Sequence, residues 1–292
     1  MIRLIMRFVK SLLVYLYRKI YIPYKKGFIW FVFKYFFLIR KKDYNSLRAS
    51  GFDNIKTYEF MTWRIGHESD GAHRRYYLAD YNGVRCFVKI AKGDLTVLNE
   101  IYVQSKIRYL GWDFTPECVF LKKELYKDTH ILAVKYINDL KPLCGQGWDF
   151  NIESFCRQIL NILNKLKDAG LVHADIHVGN LAKDSDGKVY LLDFGISKFT
   201  GDAPTVDYDQ REGTFFIVED NLKIYDDAFS VIEMINNQIG IAYCKQTPYY
   251  DEIVNLYGRL YFTVPTRRTG TRFSVSTDSL AKLNMIKYEK KM

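Results

Sequence analysis

The first 42 residues contain no acid, although lysines and arginines from Arg3 to Lys42 number eleven there, and the first carboxylate is Asp43. Because the whole chain carries a net +10, the remaining 250 residues sum to −1. The body of the protein therefore offers no electrostatic reason to bind nucleic acid. Cysteine is scarce and unpatterned: Cys86, Cys118, Cys144, Cys156 and Cys244 form no C-x-x-C pair and no metal-ligand spacing. An odd number cannot close fully into internal disulfides, so a reducing compartment is expected. With 6 prolines and 18 glycines in 292 residues, collagen-like and low-complexity chains are excluded, and 48% hydrophobic residues exclude a disordered one.

No apolar run approaches the roughly 20 residues needed to cross a bilayer. The longest, GFIWFVFKYFFLI from Gly27 to Ile39, is broken by Lys34. Upstream, Arg3, Arg7, Lys10 and Arg18 fall on one face of a helical wheel, with Ile2, Leu4, Ile5, Phe8, Val9, Leu12, Leu13 and Leu16 covering the rest. The uncharged stretch SLLVYLY is followed by Arg18-Lys19 without a small-residue cleavage site, unlike a secretory signal. Residues 1–42 are expected to lie on an anionic membrane surface, aromatic side chains in the headgroup boundary, each nearby base adding roughly 1 kcal/mol. A basic helix packed on the body and a re-entrant hairpin are the alternatives.

The body changes character once. From Asp53 to Ile90 the text reads strand, glycine-containing loop, strand, Asn82-Gly83 hairpin, strand, with Lys89 on the last strand. A helix over 94–109 and strands at ECVFL (117–121) and HILAVKYI (130–137) complete a small antiparallel sheet with one helix. Beyond Lys141-Pro142 the pattern becomes mainly helical: Asn151 caps a helix with Ile152, Phe155, Ile159, Leu163 and Leu166 on one face and Gly170 after its end. A short hairpin turns at Asp184–Gly187. The expected division is an extension over 1–52, a nucleotide-binding lobe over 53–140 and a catalytic lobe over 141–292.

The residues suited to chemistry cluster in LVHADIHVGN (171–180) and LLDFG (191–195). Asp175 stands five residues before Asn180, and Asp193 thirteen after it. A metal site built from His173, Asp175 and His177 would account for alternating ligands on one strand face, but leaves Asn180, Asp193 and Lys89 unused. The spacing instead resembles the catalytic loop and D-F-G segment of the protein-kinase-like superfamily, with the resemblance running from about Tyr58 to about Gly240. EGTFFIVED (212–220) is similar to the end of an activation segment, and DDAFSVIEMI (226–235) to the buried helix whose leading acid, Asp227, braces the catalytic loop.

That resemblance implies a bilobal α+β fold, with an N-lobe of antiparallel sheet plus helix and a mainly helical C-lobe, and it implies ATP and Mg2+ as cofactors. Asp175 would orient or deprotonate an acceptor hydroxyl, Lys89 would hold the phosphates beneath the Gly66–Gly71 turn, and Asn180 with Asp193 would bind metal. Glu100 would orient Lys89 through a charge-assisted hydrogen bond, Tyr136 and Ile137 would border the adenine, and His173 and Gly195 would give structural support. The chain departs from protein kinases at Glu68, where the second glycine of the loop would stand, and at His177, where a lysine is usual. D-x-H-x-x-N is more typical of kinases acting on sugars. The wording is similar to bacterial lipopolysaccharide core heptose and Kdo kinases, which implies a glycolipid acceptor and a cytoplasmic, peripheral location on the inner membrane face. The G-T and D-D-x-x-S text is closer to serine/threonine protein kinases, which implies a protein hydroxyl instead. A membrane-bound pseudokinase is the non-enzyme alternative.

Overall fold

In the computed structural model the described residues are 38–63, 73–126, 129–143, 151–204, 206, 215–219, 222–238 and 247–265. Residues 1–37, most of the segment expected at a membrane surface, and the Gly66, Glu68 and Gly71 loop lie outside them. In chain order the elements are α1 (38–49), β1 (Phe52–Trp63), β2 (His73–Tyr81), β3 (Val84–Lys92), α2 (Leu95–Ile107), β4 (Cys118–Tyr126), β5 (Thr129–Lys135) and β6 (Lys141–Pro142). They continue with α3 (Ile152–Asp168), β7 (Leu171–Val172), β8 (Leu181–Lys183), β9 (Val189–Leu191), β10 (Lys198–Phe199), β11 (Ile217–Glu219), β12 (Leu222–Asp226), α4 (Asp227–Gln238), α5 (Pro248–Leu256) and β13 (Tyr261–Pro265). The fold is α+β, as expected, and it divides into two compact units.

The first unit comprises residues up to Asp94 together with Cys118–Tyr136. Its five strands are ordered β1-β2-β3-β5-β4, and every neighbouring pair is antiparallel. The β2–β3 turn takes positive φ at Asn82 (48°) and Gly83 (78°), the backbone that an Asn-Gly pair adopts at low cost and whose twist suits a two-residue hairpin. Alternation along β3 sends Cys86, Val88 and Ile90 into a core with Tyr77, Ala79, Ile131 and Ala133. Lys89 stands between Val88 and Ile90, opposite Tyr76 on β2 and Leu132 on β5.

Helix α1 closes that core. Leu47 is fully buried within it, and Asp43, also fully buried, accepts hydrogen bonds from Arg75 Nη2 at 2.9 Å and Tyr77 Oη at 2.6 Å, with Arg75 Nε as a further donor. A charge this deep is tolerated because a planar guanidinium and a phenol occupy its lone pairs.

The second unit comprises Leu95–Glu117 and the chain from Ile137 onward. Asn151 caps α3 through a hydrogen bond from Ser154 N to its Oδ1 at 2.9 Å, and Gly170 reverses the chain after the helix with φ of 64°. Phe155, Ile159, Leu163 and Leu166 enter the largest core beside Leu171, Leu181, Leu191, Phe229, Ile232 and Ile253. Each such burial contributes roughly 1.5–3 kcal/mol before ordering costs. Three small sheets complete the unit: β6-β8-β9, β10-β7 and β11-β12-β13.

The units depart from the boundaries read in the sequence at two places. Helix α1 belongs to the sheet unit rather than to an extension ending at residue 52, because Asp43 and Leu47 are built into its core. Helix α2 belongs to the second unit rather than to a lobe running unbroken from 53 to 140, because Val103 and Ile107 pack in the core of α3. The sheet formed by β11, β12 and β13 was not anticipated either. Its strands are short and its β12–β13 pairing joins segments separated by two helices.

Candidate active site

The site in the second unit is assembled on backbone hydrogen bonds. The β8–β9 hairpin pairs Leu181 with Leu191, and beyond it Leu192 N donates to Asn180 O at 2.8 Å. The two loops separated by twelve residues in sequence are thereby fixed side by side, with Asn180 ending one and Asp193 opening the other. The hairpin turn holds because Asp184 Oδ1 accepts from Asp186 N and Lys188 N, and Gly187 takes φ of 77°.

Asp175 and Asn180 are in contact. Asn180 Nδ2 donates to Asp175 O at 2.9 Å and to Asp175 Oδ2 at 3.1 Å, so the amide nitrogen is committed and its oxygen is the atom not used in that grip. His177 approaches the same carboxylate oxygen: its Nε2 is 3.7 Å from Asp175 Oδ2 and its Nδ1 accepts from Gly179 N at 3.0 Å. The ring folds so closely over Gly179 that a Cβ there would come within 2.7 Å of His177 Cε1.

Two residues hold backbone conformations that L side chains rarely take: Ala174 with φ of 68° and Asp193 with φ of 61°. Such strain persists only where surrounding bonds over-determine it. At Ala174 the bonds come from α4: Asp227 Oδ2 accepts from His173 N at 2.6 Å and Oδ1 from Ala174 N at 2.9 Å. Burial pushes the Asp227 carboxyl up to about 7, while the two backbone donors act in the opposite direction. At Asp193, Oδ1 accepts from Gly195 N at 3.3 Å, and a Cβ on Gly195 would stand 3.0 Å from that oxygen.

His173 is fully buried, with Nε2 against Leu192 O at 3.1 Å and Nδ1 accepting from Asp175 N at 3.3 Å. Burial lowers its pKa to about 4, against the pull of Asp175 and Asp193, so the ring is neutral at ordinary pH. It bridges the two loops and packs edge-on against Phe194, centroids 4.8 Å apart.

The oxygens of Asn180 and Asp193 are hard donors of the kind magnesium takes. Among the described residues no group of three or more His, Cys, Asp or Glu could hold a metal ion. Two protein donors, with the remaining positions left to water and phosphate oxygens, is the arrangement in which Mg2+ accompanies a nucleotide.

The other sequence candidates fall in both units. Lys89 is buried on β3 of the first unit, and Glu100 is buried on α2 of the second. Tyr136 closes the first unit, its N–H donating to Arg85 O at 2.8 Å, and Ile137 opens the second. Sequence reasoning passed over Asn99, whose Nδ2 donates to Gly195 O at 3.1 Å and Ser197 O at 2.9 Å. It also passed over Asp226, which accepts from Phe229 N at 3.0 Å and Gly258 N at 2.7 Å. The available signal for Asn99 was a polar residue on a helix buried on most sides, where any amide must find partners.

Comparison with known proteins agrees with this geometry. The sequence model of the ABC1 atypical kinase-like domain matches residues 126–215, the stretch that holds both loops. Mitogen-activated protein kinase kinase kinase 1 of Arabidopsis thaliana is 29% identical over 107 residues, covering 37% of this chain and 16% of that protein. Mitogen-activated protein kinase 14 of Xenopus laevis is 30% identical over 82 residues, 28% of this chain and 22% of that protein. The chain thus spans less than a quarter of the length of these relatives. Loop spacing, the carboxylate brace from α4, the five-stranded sheet and these similarities agree on a protein-kinase-like fold, and over residues 126–215 the chain is similar to the ABC1 atypical kinase-like domain.

Proposed function

We propose that the protein is an ATP- and Mg2+-dependent phosphotransferase acting on a hydroxyl, and that the hydroxyl belongs to a sugar of a membrane glycolipid, of the heptose or Kdo type found in lipopolysaccharide core. Kinase-like chemistry rests on the matched domain. Asp175 orients or deprotonates the acceptor, Lys89 holds phosphates, and Asn180 with Asp193 holds the metal, which neutralises charge on the phosphates when bound. The observation carrying the sugar acceptor is His177: an imidazole Nε2 stands 3.7 Å from the Asp175 carboxylate where a protein kinase carries an ammonium. An imidazole beside the carboxylate, in place of a long ammonium side chain, suits hydrogen bonding to a polyol, whose hydroxyls alternate as donors and acceptors. The eleven bases of residues 1–42 fit attachment to the anionic inner face of the membrane.

A second reading, phosphorylation of protein serine or threonine, is favoured by the names of the relatives, which are protein kinases. Transfer of γ-labelled phosphate from ATP into a membrane extract separates the two readings when glycolipid and protein fractions are counted. Asp175-dependent label in glycolipid supports the proposal, label confined to protein replaces it with the second reading, and nucleotide binding without any transfer would mean a pseudokinase.

A further inference from the structure

Helix α2 is fastened to the metal loop by a row of side chains spaced three or four residues apart. Asn99, 2% exposed, places both hydrogens of one amide on two carbonyls of the same loop, Gly195 O at 3.1 Å and Ser197 O at 2.9 Å. One turn earlier, Thr96 packs on Gly195, where an added Cβ would come within 3.1 Å of Thr96 Cβ. One turn later, Tyr102 Oη donates to Asp202 Oδ2 at 2.6 Å, and Lys106 Nζ reaches the same oxygen at 3.1 Å. Ser197 Oγ in turn donates to His173 O at 3.0 Å, so the anchored loop is also tied to the catalytic loop.

These contacts bear on Asp193. Its left-handed backbone is supported by the bond from Gly195 N, and Gly195 is held in turn by Asn99, whose amide donates to Gly195 O. An amide is the group this task needs. Two N–H donors at a fixed angle satisfy two buried carbonyls at once, whereas a hydroxyl offers one donor and a carboxylate none.

We infer that Asn99 is a positioning residue for the metal-binding Asp193, and that α2 sets the metal affinity of the site through this amide. The inference rests on the proposed phosphotransfer role of Asp193. Asn99→Leu keeps the volume and removes both donors, leaving two buried carbonyls unpaired. Loss of bonds of this kind is expected to raise the free Mg2+ needed for half-maximal nucleotide binding by about tenfold. Binding of ATP without metal should stay unchanged, because Asp193 then has no metal to carry.

The readout is binding of a fluorescent ATP analogue to the full chain, titrated with Mg2+ and repeated in EDTA. A purely structural role would lower stability and depress both conditions together. An unchanged Mg2+ requirement in Asn99→Leu overturns the inference. Should that variant fail to fold, Asn99→Ser keeps one donor in place of two, and a smaller shift in the same direction is expected; no shift in it would equally overturn the inference. Failure of the phosphotransfer reading has a different signature, an unaltered chain whose ATP binding does not respond to Mg2+ at all.

Discussion

Asp227 holds His173 and Ala174 by their backbones, one carboxylate oxygen to each N–H, at 2.6 Å and 2.9 Å. The pair of bonds joins the first residue of α4 to the left-handed kink at Ala174, immediately before Asp175. Helix α4 is buried from Asp227 to Ile235, with Phe229, Val231, Ile232 and Ile235 in the core, so the carboxylate is presented from a fixed base.

Asp227→Asn tests that brace with little change in volume. One of the two oxygens becomes an NH2 group facing a backbone N–H, which leaves a buried donor unsatisfied at about 1–3 kcal/mol. Urea denaturation should show that loss. Turnover should fall by a larger factor than stability explains, because Asp175 follows the kinked residue directly. Wild-type turnover in a folded Asp227→Asn variant would show that the brace does not position Asp175.

The buried imidazole of His173 gives a pH dependence of known sign. Its folded pKa, about 4, lies below the ordinary value of 6.5, so the unfolded chain takes up a proton first as pH falls. The contribution is complete above the unfolded pKa and is lost progressively as pH drops toward the folded one. Between about pH 7 and about pH 5 this amounts to roughly 2 kcal/mol. The difference in unfolding free energy between the native chain and His173→Asn should shrink by about that amount over the interval. A difference independent of pH would mean that the ring is not held neutral.

Asp175→Ala should abolish phosphate transfer to any acceptor while leaving ATP binding nearly intact. The carboxylate is assigned to the acceptor hydroxyl, not to the nucleotide, and Asn180 retains its second bond to Asp175 O after the substitution. Equilibrium binding of nucleotide measured beside turnover in one preparation checks both halves. Full activity in the variant would remove Asp175 from the mechanism.

The loops could be located from the sequence because a carboxylate at 175, an amide at 180 and a carboxylate at 193 stand at a spacing that resembles kinase-like domains, and the matched stretch 126–215 contains all three. The hairpin between them was legible from Asp184 and Gly187, and α3 from its cap and its apolar face. Asn99 was not legible, since a single asparagine in LTVLNEIYVQSKI carries no sign of which carbonyls it will meet some hundred residues later. Helix α1 was hidden for a different reason. Its first residues continue the basic aromatic segment, and what makes it part of the sheet unit is one acid, Asp43, whose partners Arg75 and Tyr77 lie on a strand more than thirty residues away. The pairing of β12 with β13 was likewise non-local, although Phe262 and Val264 alternate with exposed Tyr261, Thr263 and Pro265 as a half-buried strand should.

The Asp43 cluster gives the sharpest stability test. Arg75 is 3% exposed, so Asp43→Ala leaves a guanidinium buried without its counter-charge, a change that costs about 3–5 kcal/mol when one partner of a buried pair is removed. Asp43→Asn retains acceptors for Tyr77 and Arg75 but loses the charge, and should cost less. Arg75→Met removes the cation and keeps apolar volume, yet leaves Asp43 with Tyr77 as a remaining donor, so it should fall between the two. The double change Asp43→Ala with Arg75→Met should recover part of the loss, because neither charge is then stranded. Chemical denaturation of the four variants decides it. If the double variant is as unstable as the sum of the single changes, the cluster is not a coupled pair, and α1 is held on the sheet by Leu47 and its neighbours rather than by Asp43.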